Sequence, residues 1–534
     1  MFPMRNFFLQ WTVAVAVFCA PGVALANTVA EAIQSALSAS TPQDTATEVA
    51  LDANTLVPRV YALREYAPAW RDPVAVERLF NSLQNGIAQG YRPEDFHIVQ
   101  LQELHAAAQS GSVEAQASFD ILAMDAAVTL LHHLVFGKVD PAALDADWNF
   151  SRPVLERDPA VVINQYLDGE GFEALVGLIA LENPQYNLLV DALARYEAIR
   201  DAGGWPTVPS ETVLKPGMTD PAVPAVRARL AAEGNQTPES ADPKLYDEAL
   251  LAEVMNFQTR HGLDADGVIG SRTFASLNQP VEDRINKLRL SLERGRWIMR
   301  DLEGSDFVLV NIAGARTYLV RADGTVWTTR SITGSAYRKT PVFRDNIQYM
   351  EFNPTWTVPN SIFRKDKLSR IRKDLGYLER GGYSVRNRDG EVIPASSVNW
   401  SANNPPVTLV QKPGPDNALG LVKFMFPNKH AVYLHDTDNR ALFDQNERNL
   451  SSGCVRIEYP FEFASLLMES DPEWNQTKMQ AILDSGRTTR VGLPEPMPVL
   501  LTYWTAWVEG DTAHFREDPY ERDPAILQAL DAQG

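Results

Sequence analysis

The hydrophobic period changes near residue 304, and no single core accommodates both sides of that change. From Leu56 to about Arg200 apolar residues recur at three and four, as in 74–83 and 119–134, with breaks at Pro93, Pro141 and Pro184. That spacing is helical. Beyond the change the apolar runs are short and rich in Val, Ile, Thr, Tyr and Phe, at 307–312, 317–320, 326–332 and 431–434, which reads as strands joined by turns. A chain of 534 residues is also too long for one compact core, so two or three domains are expected.

The punctuation suggests where they divide. Arg5, the apolar run 7–20, Pro21-Gly22 and Ala24-Leu25-Ala26 read as a secretory signal peptide over 1–26, cleaved after Ala26. The run is too short to span a bilayer, although an uncleaved signal would leave the chain membrane-anchored. Residues 27–55, rich in Ala, Ser, Thr and Gln, read as a flexible leader ending in one weak amphipathic helix. A helical unit over 56–210 ends at Gly203-Gly204-Trp205-Pro206, a smaller unit occupies 211–280, and a charged linking helix runs over 281–303. The β unit covers 304–525 and is interrupted at about 356–406 by a Lys/Arg-rich insertion too long for an ordinary loop, a candidate lid. No later stretch reads as a transmembrane helix, so a periplasmic location is expected. Loss of the signal would take the formal net charge from -19 to -20, which argues against nucleic acid as a partner.

Signal cleavage would remove Cys19 and leave Cys454 as a single thiol in an oxidising compartment, either a buried apolar filler or a reactive group. Its surroundings favour chemistry. Tyr433-Leu434-His435-Asp436-Thr437 precedes Ser451-Ser452-Gly453-Cys454-Val455-Arg456, and a histidine at a strand end can activate a thiol across a returning loop. Gly453 lets the backbone turn tightly, so that the amides of Gly453 and Cys454 can face a developing oxyanion. Rival chemistries lack their residues. There is no Ser-x-x-Lys, no zinc-peptidase spacing, and the histidine precedes the cysteine, the reverse of papain-like order. His132 and His133 are adjacent on a helix and expected to point apart, and the loop around Asp264 and Asp266 lacks the acid that closes a calcium loop. No metal or cofactor is expected.

Val254, Phe257, Gln258, Gly262, Leu263, Asp266, Gly267, Ile269, Gly270 and Thr273 resemble a three-helix peptidoglycan-binding domain. His435, Ser451, Gly453, Cys454 and Arg456 resemble the signature of the YkuD-type L,D-transpeptidases. Thr340-Pro341, Asn353-Pro354, Trp356, Val358-Pro359, Pro413-Gly414-Pro415, Lys423-Phe424 and Tyr503-Trp504-Thr505-Ala506 extend the likeness to the large YcbB-like branch. One departure is Ser452, where the commonest motif has histidine before the glycine.

The resemblance implies a multidomain α+β chain with a helical scaffold, a small three-helix peptidoglycan-binding domain, and a mainly β catalytic domain with a capping insertion. It implies Cys454 as nucleophile and His435 as general base, oriented by the backbone carbonyl of Asp436. Donor and acceptor would be peptidoglycan tetrapeptide stems, joined 3-3 with release of D-alanine, with cell-wall synthases as candidate partners. Water as acceptor would make a carboxypeptidase, and a decayed site a noncatalytic wall-binding protein. Arg456, Tyr433, Ser452 and Trp356 are candidate substrate contacts, with an ion pair the structural alternative for Arg456 and a wall or core position for Tyr433 and Trp356. Acylation by a carbapenem is a further expectation.

Overall fold

A computed structural model describes residues 28–38, 53–146, 148–150, 155–209, 212–235, 240–302 and 304–532. The expected signal peptide lies outside them, as does much of the expected leader. The described part of the leader includes a helix near its start. Val29–Ser38 is a helix that puts Val29, Ile33 and Leu37 on one stripe, with Ile33 fully buried against the helical unit.

That unit is organised around Val113–Phe136, which starts at Ser112, whose hydroxyl accepts the Ala115 amide at 3.2 Å. Contrary to the sequence reading, this helix is long and apolar enough to cross a membrane by length and composition. It serves instead as a core helix, with 67% of its apolar window buried and Met124, Leu130 and Leu131 packed inside. His132 and His133 do not point apart as expected; their Nδ1 atoms approach to 3.4 Å, while His133 packs on Tyr91 and Phe96. Among the described residues no group of three metal-binding side chains forms.

The charged linking helix forms at Val281–Ile298, and most of its charges are buried. Glu293 is fully buried, accepting the Val139 amide at 2.7 Å and pairing with Arg296 at 2.8 Å. Arg289 donates to the Gly90 carbonyl at 2.8 Å and pairs with Asp531 at 2.9 Å. Arg284 reaches the Ser276 carbonyl at 3.1 Å, and Ser291 donates to the Ala506 carbonyl at 2.7 Å. One helix therefore touches every other unit. Gly137 permits its approach, since a Cβ there would lie 2.6 Å from the Glu293 carboxylate.

The small unit holds helices Val223–Ala232, Glu248–Arg260 and Ser271–Leu277 around Val226, Leu250, Phe257 and Phe274. Its Asp-rich loop is folded by Gln258, which donates to Asp266 at 3.1 Å and accepts the Gly267 amide at 2.9 Å. Gly267 has φ +70°, and a Cβ there would strike Leu251. Asp264 and Arg272 reach out to Asn446 and Glu447, on the approach to the loop that carries Cys454.

The β unit comprises β1 (Phe307–Asn311), β2 (Arg316–Val320), β3 (Val326–Gly334), β4 (Phe343–Phe352), β5 (Trp356–Thr357), β6 (Tyr383–Arg386), β7 (Thr408–Gln411), β8 (Val422–Met425), β9 (Leu434–His435), β10 (Asn449–Ser451), β11 (Val455–Ile457) and β12 (Thr489–Thr502), followed by a two-stranded hairpin. The large sheet runs β10-β3-β11-β9-β8-β4-β12-β1-β2, and a β2–β3 pairing closes eight of these strands into a barrel. Its core includes Val310, Ile347, Met350, Phe424, Leu434, Val455 and Leu501. The strand expected over 431–434 starts only at Leu434. Ala431 stands at φ +53° in a turn that Asn428 holds by accepting the amides of His430 and Val432.

The insertion is a folded cap with its own core of Trp356, Phe363, Ile371, Trp400 and Leu409, and a sheet ordered β5-β7-β6. It runs past the expected end at 406, because β7 is the middle strand of that sheet and Leu419 joins the core.

Removing one partner of a buried, hydrogen-bonded pair costs about 3–5 kcal/mol, whereas an exposed pair is worth under about 1 kcal/mol. Glu293→Ala is therefore expected to lower unfolding free energy by several kcal/mol in urea titration. Arg59→Ala, at the exposed Arg59–Asp158 pair, is expected to leave it within about 1 kcal/mol.

Candidate active site

Register brings the two expected reactive residues together. β9 and β11 pair in parallel, with Val455 opposite Leu434 and Arg456 opposite His435. The next residue back, Cys454, follows from this register beside Tyr433, and the Tyr433 carbonyl accepts the Val455 amide at 3.1 Å. Side chains alternate along strands, so Leu434 and Val455 enter the barrel core while Tyr433, His435, Cys454 and Arg456 share the opposite face. The rings of Tyr433 and His435 lie 5.7 Å apart.

The thiol and imidazole are both neutral in this arrangement. Burial pushes His435 down to about 3, helped by the Arg456 charge and opposed by the carbonyls of Asp436 and Leu419. Burial pushes the Cys454 thiol up, against the Tyr433 backbone and hydroxyl and the Arg456 charge. The thiol donates to the Ala431 carbonyl at 3.8 Å rather than to the imidazole.

Asp436 was expected to orient His435 through its backbone carbonyl. Two carbonyls, of Asp436 and Leu419, favour the protonated ring, but Nδ1 completes a hydrogen bond to neither. The Asp436 carboxylate has a separate task. It accepts the Leu421 amide at 2.9 Å and Arg440 at 2.8 Å, and Gly420, at φ +62°, packs against it where a Cβ would clash at 2.4 Å. The turn carrying Leu419 is thereby held over the ring.

The Gly453 expectation is also revised. Its φ of +122° requires glycine, yet its amide donates to the Ser451 hydroxyl at 3.1 Å and is not available to an oxyanion. Ser451 in turn donates to the Cys454 carbonyl, closing the turn. The Cys454 amide is committed to no acceptor among the described residues. From below, Thr340 donates to the Gly453 carbonyl at 2.8 Å and accepts the Gly334 amide at 2.9 Å.

The candidate substrate contacts divide. Arg456 forms neither alternative in full: it donates to Thr437 at 3.2 Å, and its Nε has no partner. Tyr433 packs against both the barrel core and the cap core. Trp356 is buried in the cap core, under the Lys367 ammonium, so it is a structural residue rather than an exposed contact. Ser452 is exposed and accepts Arg338 at 2.8 Å. Thr340, Ser451 and Arg338 were not singled out as site residues from the sequence; the Thr340-Pro341 and Ser451-Ser452 pairs were the available signals.

Residues 305–475 match the family described as L,D-transpeptidase catalytic domain, YkuD. Residues 55–193 match a scaffold domain, and 219–277 a domain described as "Putative peptidoglycan binding domain". A Haemophilus influenzae protein named "Putative L,D-transpeptidase" is 34% identical over 242 residues, 45% of this chain and 48% of that protein. The match thus spans about half of that relative's length. A crystal structure of an L,D-transpeptidase from Xylanimonas cellulosilytica is 16% identical, with 55% of this chain and 99% of that chain covered and a TM-score of 0.19. A Clostridium acetobutylicum structure, a fused zinc-dependent amidase/peptidase and peptidoglycan-binding protein, is 12% identical at a TM-score of 0.15, with the same coverage. Such TM-scores do not establish a common overall fold.

The electrostatics set a pH dependence. The rate of Cys454 alkylation by iodoacetamide is expected to rise with pH through a midpoint above the usual thiol value of about 8.5. Arg456→Gln removes a charge that favours the thiolate, so the midpoint should move further up. A thiol already reactive on an acidic plateau near pH 5 would contradict the neutral pair.

Proposed function

We propose, from a chain that carries a YkuD-type L,D-transpeptidase catalytic domain beside a scaffold domain and a peptidoglycan-binding domain, that this is an exported cysteine L,D-transpeptidase forming 3-3 cross-links. The observation that carries this reading is the β9–β11 register, which sets thiol and imidazole on one face above a tightly tied glycine turn.

In this reading Cys454 rotates from Ala431 toward His435 and gives up its proton as it attacks the carbonyl of the diamino acid at position three of a donor stem. Separate ions are disfavoured by burial, so thiolate and imidazolium arise together, as a pair, when substrate excludes water. Arg456 steadies the thiolate and at the same time keeps the imidazole basic only when the thiolate is beside it. The uncommitted Cys454 amide is the backbone donor for the oxyanion. His435 returns its proton to the departing D-alanine amine, leaving a thioester. The side-chain amine of a second stem then attacks the thioester, His435 takes up the amine proton, and the thiol is released.

The mature protein and its Cys454→Ala variant, incubated with a disaccharide-tetrapeptide, test the reading by mass analysis. A dimer lacking one D-alanine, made only by the protein with its thiol, is the expected product. Release of D-alanine without dimer would make the activity a carboxypeptidase, and no thiol-dependent product would leave only wall binding. A carbapenem is expected to add its mass to the protein at Cys454 and not to the alanine variant.

A further inference from the structure

The cap meets the catalytic loop at one bidentate ion pair. Arg338 grips Asp366 with Nη1 at 2.6 Å and Nη2 at 2.8 Å, and the same Nη1 donates to the Ser452 hydroxyl at 2.8 Å, two residues from the thiol. The backbone beneath Arg338 belongs to the catalytic loop's support. Ser335 donates to the Ser451 carbonyl at 3.0 Å, Thr340 to that of Gly453, and Lys339 to that of Tyr520 at 2.7 Å. Asp366 belongs to the cap. It lies in a π-helical turn, Phe363–Lys367, of the kind that recurs at functional sites. Lys367 pins that turn by lying within 6 Å of the rings of Trp356, Tyr377 and Tyr383.

Asp366 is an acid in basic company, for residues 360–380 carry seven Lys or Arg against three acids in a chain of net charge -19. Both partners of the pair stay solvent-accessible, with side chains 25% and 39% exposed. Water reaches both partners, so a competing carboxylate can approach the pair, and the guanidinium fork suits any carboxylate in the same bidentate way.

We infer that Arg338 is the receptor for a carboxylate of the donor stem, and that Asp366 occupies this receptor until the stem displaces it. This rests on the transpeptidase reading for the identity of the ligand and deepens it by naming a specificity residue. Release of Asp366 frees the cap at the moment the stem is seated beside the thiol, so recognition and cap movement are one exchange of carboxylates.

The test is calorimetric binding to the full chain carrying Cys454→Ala, which measures recognition without turnover. The probes are the disaccharide-tetrapeptide and two analogues, one amidated at its terminal carboxylate and one at the diamino acid carboxylate. The acid is expected to bind about tenfold more tightly than at least one amide, the worth of one charged hydrogen-bonded contact. Arg338→Ala should abolish that difference, and Arg338→Lys, which keeps the charge without the fork, should keep part of it. Asp366→Asn should tighten binding of the acid several-fold and leave the discriminated amide unchanged.

Equal affinity for all three probes, no binding of any, or weaker acid binding by Asp366→Asn in parallel with Arg338→Ala would overturn the inference. Thermal melts of each variant separate recognition from folding. Turnover by the thiol-bearing protein is measured alongside: discrimination without turnover would defeat the transpeptidase reading alone, and turnover without discrimination would defeat this inference alone.

Discussion

The helical unit, the small unit and the hairpin after the barrel meet on one helix most of whose charges are buried. Glu293 and Arg296 lie fully or almost fully buried within Val281–Ile298, and their charges are tolerable because they pair with each other and take further partners from the helical unit: the Val139 amide, the Gln89 carbonyl and the Tyr91 ring. The helix thereby specifies which surfaces must meet. Arg289, Arg284 and Ser291 repeat the device toward the last helix, the small unit and the hairpin after the barrel. A wholly apolar helix of the same size would stick to any greasy face. This one fits where its hydrogen bonds close.

The candidate active site inherits its order from that frame through the barrel. Short strands β9 and β11 contribute few bonds themselves, but they sit between β8 and β3 in a ring with no free edge there, so a register slip is blocked on both sides. Fixed register is what places His435 and Cys454 on one face. The local turn adds a second level of control, since Ser451 consumes the Gly453 amide and ties the Cys454 carbonyl. The third level is electrostatic, in that burial and the Arg456 charge both disfavour protonation of the imidazole.

Much of this was legible in the sequence, and the illegible parts share a cause. The change of period at residue 304, the cysteine and histidine motifs, and the glycines of the small unit all report local geometry, which sequence spacing encodes directly. The charged linking helix was read without the contacts of its charges, because several of these are satisfied by residues 150 or more positions away, such as Val139 and Asp531. The leader's weak amphipathic helix was expected at its end, whereas one forms at Val29–Ser38, where its short apolar stripe finds a partner in the folded scaffold. The role of Gly453 was misjudged for the opposite reason: the serine that captures its amide stands two positions away and was read only as part of a signature. Trp356 is a wall residue because β7, more than fifty positions later, completes the sheet over it.

The final helix, Asp523–Asp531, sets an order of assembly. Its Leu530 lies in the core of the helical unit, and Asp531 receives both Arg92 and Arg289. A ribosome delivers that helical unit early and its last packing partner more than three hundred residues later. Until then Leu530 is missing from that core and Arg92 and Arg289 lack Asp531, so the helical unit gains these last contacts only after the β unit has been made.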